Sequence, residues 1–199
     1  MKYIYASQRI DISETNERRD CLDRRWAQLL YLCGLIIIPV PNHKETLEVM
    51  LKTKPPDGIL LTGGNSPVLY GGDSPQRDET DNILIDYAVS KSIPLLGVCR
   101  GMQSIIMFFG GSLMNVSNHV AVRHIISGDI NCEVNSYHTL ALEQLPEELK
   151  ATAYSGDNII EAVEHLSKPI KGIMWHPERE EPEFNKDDVL IIKEFFYEG

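Results

Sequence analysis

The chain has 199 residues, 43% hydrophobic and 24% charged, with a formal net charge of −10 at pH 7. A chain of this size buries a full apolar core without disulfides or a structural metal, and its composition is that of a soluble globular protein. The acidic balance argues against nucleic acid or an anionic membrane as the main partner, because either favours a basic face; a small anionic ligand needs only a few local arginines.

The start, "MKYIYASQRID", lacks the apolar core and small-residue cleavage site of a secretion signal. No apolar run approaches the ~18 residues of a membrane span. Cys21, Cys33, Cys99 and Cys132 have no Cys-x-x-Cys spacing and read as reduced thiols of a cytoplasmic protein.

Taken in order, residues 3–7 read as a first strand. Residues 17–33 read as a helix, with Leu22, Trp26, Leu29, Leu30 and Leu32 mostly on one face. Gly34 follows as a left-handed helix terminator. "LIIIPVP" is a buried strand closed by prolines, and residues 44–51 a second helix. "DGILLTGG" is a turn, a strand and a glycine-rich loop. Residues 78–90 form a third helix, 93–98 a fourth strand and 102–109 the next helix. Apolar runs without alternation, spaced by helices, indicate a parallel sheet covered on both faces. The second half has short strands in "DINCEVN", "KATAYSG", "IIEAVEH" and "IKGIMWH" with little helix between them, so pairing there should be antiparallel or mixed. A last helix covers about residues 187–197. With no repeat, linker or low-complexity tract, residues 1–199 read as one α/β domain.

Chemistry concentrates at "PLLGVCRGMQS", residues 94–104. A tight strand-to-helix turn crowds its central residue, and glycine two before and two after relieves the crowding. Gly97, Cys99 and Gly101 have that spacing. Such an elbow lifts the Cys99 side chain into a cleft at a helix N-terminus, which favours a thiolate. It also aims the Arg100 N–H at the same space, where it can hold an oxyanion. The plain alternative is a buried cysteine beside two turn glycines, and the pentapeptide alone does not decide. "GIMWHPER" shifts the balance. His176 follows an apolar strand and can serve as base and acid near neutral pH. Pro177 turns the chain, and Glu178 can reach the second imidazole nitrogen and set its tautomer.

"GVCRGMQ", with "WHPE" downstream and "TGG" upstream, resembles the class I glutamine amidotransferase superfamily over nearly the whole chain. "SQRID", "PVPN", "RD" at Arg77 and Asp78, "CRGMQ" and "VNSYH" point to its stand-alone γ-glutamyl hydrolase branch, the peptidase C26-like proteins. The resemblance implies a flavodoxin-like doubly wound, mostly parallel sheet with helices on both faces, and a site at the strand C-termini. It implies Cys99 as nucleophile, His176 as general acid/base and Glu178 as its partner. Gly63, Gly64 and the Arg100 N–H would form the oxyanion hole. Gln103 would touch the glutamyl group, and Asn135, Ser136, Tyr137 and His138 would hold its α-amino and α-carboxylate groups. Two departures, Thr139 in place of a second histidine and Asp81 in place of a glutamate, fall where the leaving half of the substrate is expected.

The implied reaction is hydrolysis of a γ-glutamyl amide through a γ-glutamyl thioester, with no metal or organic cofactor. His43, His119, His124, His138 and His165 have no metal-ligand spacing and read mostly as surface or supporting residues. The "ERRDCLDRRWAQLL" stretch and the chain length resemble small members acting on a γ-glutamyl-CDP-amidate in capsule phosphoramidate synthesis. Arg9, just past the first strand, is the best phosphate candidate; Arg18, Arg19, Arg24, Arg25 and Arg123 are weaker ones, most of the 18–25 group reading as a solvated helix face. A γ-glutamyl-aminobutyrate or polyamine hydrolase, a glutaminase subunit feeding a synthetase, and a non-catalytic binding protein are the alternatives. The complete Cys99, His176 and Glu178 set argues against the last. The partner expected is a small γ-glutamyl molecule, with a homodimer left open.

Overall fold

The computed structural model describes residues 1–198. Its centre is a nine-stranded mixed sheet. Five parallel strands lie side by side in the order Leu35–Pro39, Lys2–Ala6, Gly58–Leu61, Leu95–Val98 and Ile170–Ile173. Numbered along the chain this is order 2-1-3-4-5, the flavodoxin-like doubly wound arrangement. Four antiparallel strands extend it: Ile160–His165, Leu149–Ser155, Val120–Gly128 and Cys132–Tyr137. Two small antiparallel pairs stand apart, Arg9–Ile12 with Arg18–Cys21 and Ser112–Asn115 with Leu140–Gln144.

The sequence explains the layers. Every residue of Gly58–Leu61 and Leu95–Val98 is buried, as a central strand covered on both faces requires. Successive side chains point to opposite faces, so Ile59 and Leu61 join one core and Leu60 the other. Helices Lys44–Thr53, Pro75–Lys91 and Arg100–Phe108 close the first core with Leu47, Leu84, Ile85, Ile105 and Ile106. Helices Arg24–Leu32 and Lys186–Glu198 close the second with Trp26, Leu29, Leu30, Ile192 and Phe196. Each such aliphatic or aromatic side chain contributes about 1.5–3 kcal/mol by leaving water. No described helix is long and apolar enough to cross a membrane.

Three expectations need correction. The helix expected over 17–33 is shorter, because Arg18–Cys21 is a strand of the Arg9–Ile12 hairpin. The Asp23 side chain accepts from the Arg25 N–H at 2.9 Å and starts the helix there. A charged run is equally at home on a solvated helix face or a solvated hairpin, so local pattern could not separate them. "LIIIP" is an edge strand, not a fully buried one: Ile36 is exposed and Pro39, lacking a donor, is tolerated at an edge. Ser112–Asn115, Val120–Gly128 and Leu140–Gln144 carry little recognisable strand pattern, since Val120–Gly128 buries only Ile126. Their order comes from their pairing partners.

Candidate active site

The Leu95–Val98 strand ends at Cys99, and the Arg100–Phe108 helix begins on the next residue. Cys99 has φ 51° and ψ −104°. Such a conformation costs a non-glycine residue about 1–3 kcal/mol and persists only where its surroundings over-determine it. Here the Cys99 N–H donates to the Ile173 carbonyl at 2.7 Å, and the Cys99 carbonyl accepts from the Gln103 N–H at 3.1 Å. The flanking glycines are obligatory by contact. A Cβ on Gly97 would lie 2.6 Å from the Gly101 carbonyl carbon, and one on Gly101 would lie 2.2 Å from the Leu61 carbonyl oxygen. The elbow leaves Cys99 8% exposed, on the wall of a cleft.

His176 comes from beyond the Ile170–Ile173 strand, the immediate neighbour of the cysteine's strand. Its Nδ1 lies 2.7 Å from Glu178 Oε1, and both residues are buried. Its Nε2 is buried with no hydrogen-bond partner among the described residues. Ring and thiol are neighbours across Gly63: a Cβ there would sit 2.7 Å from His176 Cε1 and 3.7 Å from Cys99 Cβ. Burial disfavours the charged ring, but the Cys99 sulfur and the Glu178 carboxylate more than offset it, and the pKa rises to about 9. A thiol, an imidazole and a carboxylate so ordered can perform nucleophilic acyl transfer.

The cleft has a volume of about 230 Å³ and is lined by Gly64, Asn65, Ser66, Cys99, Arg100, Gln103, Tyr137, His138, Thr139 and Leu140. Arg100 is the first residue of its helix, so its N–H has no intrahelical acceptor. Gln103 is buried and donates from Nε2 to the Leu140 carbonyl at 3.2 Å. The Arg9 stem covers Gly64, and the Arg179 guanidinium stacks over Tyr137 at 4.7 Å. The Tyr137 ring meets His176 edge-on at 5.8 Å.

The family profile for class-I glutamine amidotransferases matches residues 20–197. The chain belongs to that family. It is 31% identical to a gamma-glutamyl-CDP-amidate hydrolase of Campylobacter jejuni subsp. jejuni serotype O:2 over 98% of this chain and 97% of that protein. It is 29% identical to a gamma-glutamyl-gamma-aminobutyrate hydrolase of Escherichia coli O157:H7, covering 85% and 83% of the two chains. A glutamine amidotransferase from Thermotoga maritima shares the fold, with a TM-score of 0.69 at 16% identity over 89% of this chain and 76% of that one.

In this family member several side chains do something other than the sequence suggests. The side chain of Asn135 is spent on the His176 main chain, and that of Ser136 donates to the His119 carbonyl at 2.8 Å. Both side chains are thus engaged within the protein, Asn135 Nδ2 also donating to Glu180 Oε1 at 2.7 Å. Tyr137 does face the cleft. His138 lines it too, but its Nε2 lies 3.5 Å from Glu161 Oε1.

Asp81 is fully buried, not beside a leaving group. It accepts from Arg77 Nε at 3.0 Å, from the Ser104 hydroxyl at 2.9 Å and from Arg100. Arg77 also donates to the Thr62 carbonyl at 2.7 Å and the Ser7 hydroxyl at 2.9 Å. The "RD" pair therefore belongs to a largely buried network, since the partly exposed Asp78 also pairs with Arg100, and the network ties the elbow residue Arg100 to the loop before Gly63. Burial hides this from pattern reading, because an arginine in a helix is ordinarily exposed.

Among the arginines, Arg18 and Arg24 are exposed, as is Arg19, which pairs with Glu17. Arg25 is not part of a free helix face. It donates to the Glu178 carbonyl at 2.9 Å and to the Glu180 carbonyl, and stacks on Phe184 at 4.1 Å, bracing the turn that carries His176. Arg123 is held by Glu133 and Glu180. Arg9 is half exposed and pairs with Asp11 at 3.1 Å. Arg179, which the sequence pattern does not single out inside "HPER", lines a hollow with Arg9, Gly63, Gly64 and Glu178.

The histidines need a like correction. His43 caps the Lys44–Thr53 helix, but His119 and His138 are buried. Together with His124 they surround the fully buried Glu161.

Proposed function

We propose that this amidotransferase relative is a stand-alone hydrolase of γ-glutamyl amides. The observation that carries the reading is the strained Cys99 elbow beside an imidazole whose other nitrogen is held by Glu178 at 2.7 Å. Cys99 acts as nucleophile on the γ-carbonyl. The N–H groups of Gly64 and Arg100 receive the oxyanion, a stabilisation whose loss costs about 100- to 1,000-fold per donor. His176 gives its proton to the departing amine, leaving a γ-glutamyl thioester. It then takes a proton from water, whose oxygen attacks the thioester. Glutamate leaves and the sulfur recovers its starting state. Glu178 keeps the ring oriented, and Gly63, Gln103, Tyr137 and the main chain of residues 135–138 shape the glutamyl subsite. The four cysteines are unpaired thiols, which fits the cytoplasm, where we place the enzyme.

For the amine half we propose a cytidine diphosphoramidate, released for capsule modification. Support comes from the likeness to the Campylobacter hydrolase along nearly the full length of both chains. Arg9 and Arg179 flank the Gly63 and Gly64 loop, where a phosphate leaving the thioester site would pass.

The test is glutamate release from γ-glutamyl-CDP-amidate, γ-glutamyl-aminobutyrate, γ-glutamyl-putrescine and glutamine. The nucleotide-linked amide is expected to turn over fastest. Cys99→Ala should abolish turnover, a loss of at least about 1,000-fold. Arg9→Ala and Arg179→Ala should raise KM for the nucleotide substrate and leave that for γ-glutamyl-aminobutyrate unchanged. Preference for glutamine over every substituted amide overturns the hydrolase reading; equal KM effects on both amides overturn the phosphate role.

A further inference from the structure

Away from the thiol, the strands of the antiparallel extension bring together four side chains far apart in sequence. Glu161, on Ile160–His165, has no exposed surface. Its Oε1 lies 3.4 Å from His119 Nδ1, 3.4 Å from His124 Nε2 and 3.5 Å from His138 Nε2. The donor atoms of His119, His124 and Glu161 all lie within 4.8 Å of one another.

These contacts are too long for charge-assisted hydrogen bonds, which run about 2.7–2.9 Å. Accordingly the three ring nitrogens and both Glu161 oxygens are buried with no hydrogen-bond partner among the described residues. A buried carboxylate left so is costly unless a charge of opposite sign meets it. The spacing has another meaning. Nitrogen and oxygen donors about 2.0–2.1 Å from a tetrahedral zinc stand about 3.3–3.4 Å from each other.

The remaining ring nitrogens carry the same message. His119 Nε2 lies 3.1 Å from Asp157 Oδ2, and His138 Nδ1 lies 3.2 Å from the Leu140 carbonyl. With a metal bound, each acceptor would take the N–H on its side and leave the lone pair of the other nitrogen for the ion. Carboxylate and carbonyl acceptors behind the ring are the usual outer partners of metal-bound histidines. Three imidazoles and one carboxylate suit a borderline cation of the zinc type.

We propose that His119, His124 and Glu161, whose donor atoms lie within 4.8 Å of one another, bind one zinc ion, and that His138, 3.5 Å from Glu161 Oε1, completes the set when the metal draws its ring in. The site is closed and structural, not catalytic. It fastens the end of the Cys132–Tyr137 strand, which carries Asn135 to the His176 main chain and Tyr137 to the cleft, to the Val120–Gly128 and Ile160–His165 strands. None of the side chains it joins is the nucleophile, its base or the base's partner, and His138 meets the glutamyl subsite only through its main chain, so metal content and the proposed reaction are tested separately.

Untagged protein purified without chelator is assayed for metal by elemental analysis. It is then stripped with dipicolinate and titrated with Zn²⁺ and Co²⁺. About one zinc per chain is expected, with a rise in Tm on zinc addition and a tetrahedral visible spectrum with cobalt. His124→Ala, altered at the most exposed of the four positions, should fold yet lose zinc. Its affinity should fall by more than the about 10- to 100-fold that loss of an outer partner costs. Wild-type protein with no bound metal, no Tm response and no cobalt spectrum overturns the proposal. So does a His124→Ala variant that keeps wild-type stoichiometry and affinity.

Discussion

Asn135 grips the main chain of His176 from both sides. Its Nδ2 donates to the His176 carbonyl at 2.8 Å and its Oδ1 accepts from the His176 N–H at 2.9 Å. One amide thus fixes where the backbone leaves the Ile170–Ile173 strand and therefore where the imidazole points. Asn135→Ala leaves the buried His176 N–H unpaired, at about 1–3 kcal/mol, while the His176 carbonyl keeps only the Arg179 N–H at 3.0 Å. The imidazole then wanders by a fraction of its own width. We expect kcat to fall by about 10- to 100-fold with little change in KM. Steady-state kinetics checks this; a KM effect alone would assign Asn135 to substrate binding instead.

The pH dependence follows from the His176 environment. The ring's pKa is raised from 6.5 to about 9, so the folded state favours the charged form. The stability this contributes is full below pH 6.5 and is lost as pH rises through about 9. In the reaction, kcat/KM should decline on the alkaline side near pH 9 as the leaving amine loses its proton donor. Glu178→Gln removes the carboxylate's support and leaves the Cys99 sulfur alone to oppose burial. The alkaline limb should move toward neutrality and the maximum rate should drop. An unmoved limb in the pH–rate profile would mean that another group titrates there.

Gly63 sets the distance between loop and base. A methyl group there would fall 2.7 Å from His176 Cε1, inside contact distance. Gly63→Ala should displace the ring and lower kcat on the order of 100-fold. Circular dichroism should remain that of the parent.

Asp81 bridges two buried guanidinium groups, and Asp78 is the second carboxylate on Arg100. Burial pulls Arg77 and Arg100 down to about 9, still protonated at pH 7. Asp81→Asn leaves them without their shared buried counterion, at a cost of about 3–5 kcal/mol. A Tm lower by roughly 10 °C should follow in a calorimetric scan. A change within about 2–3 °C, roughly the effect of 1 kcal/mol, would show that Asp78 alone suffices.

The elbow and the His-Pro-Glu turn are legible in the sequence because their causes are local. Gly97 and Gly101 answer to crowding around one residue, and Glu178 reaches the ring of a residue two positions away. The alternation of apolar runs and helices likewise carried the parallel sheet covered on both faces, since such burial imprints each strand separately, while the doubly wound order came from the family resemblance. What the chain order could not show was which distant residues meet. Only the sheet order 2-1-3-4-5 puts the strand before His176 beside the strand before Cys99. Only the antiparallel extension brings His119, His124 and His138 around Glu161, and turns the Asn135 side chain onto a backbone 41 residues away. Contacts across strands depend on register and crossover, which no stretch of neighbouring residues encodes.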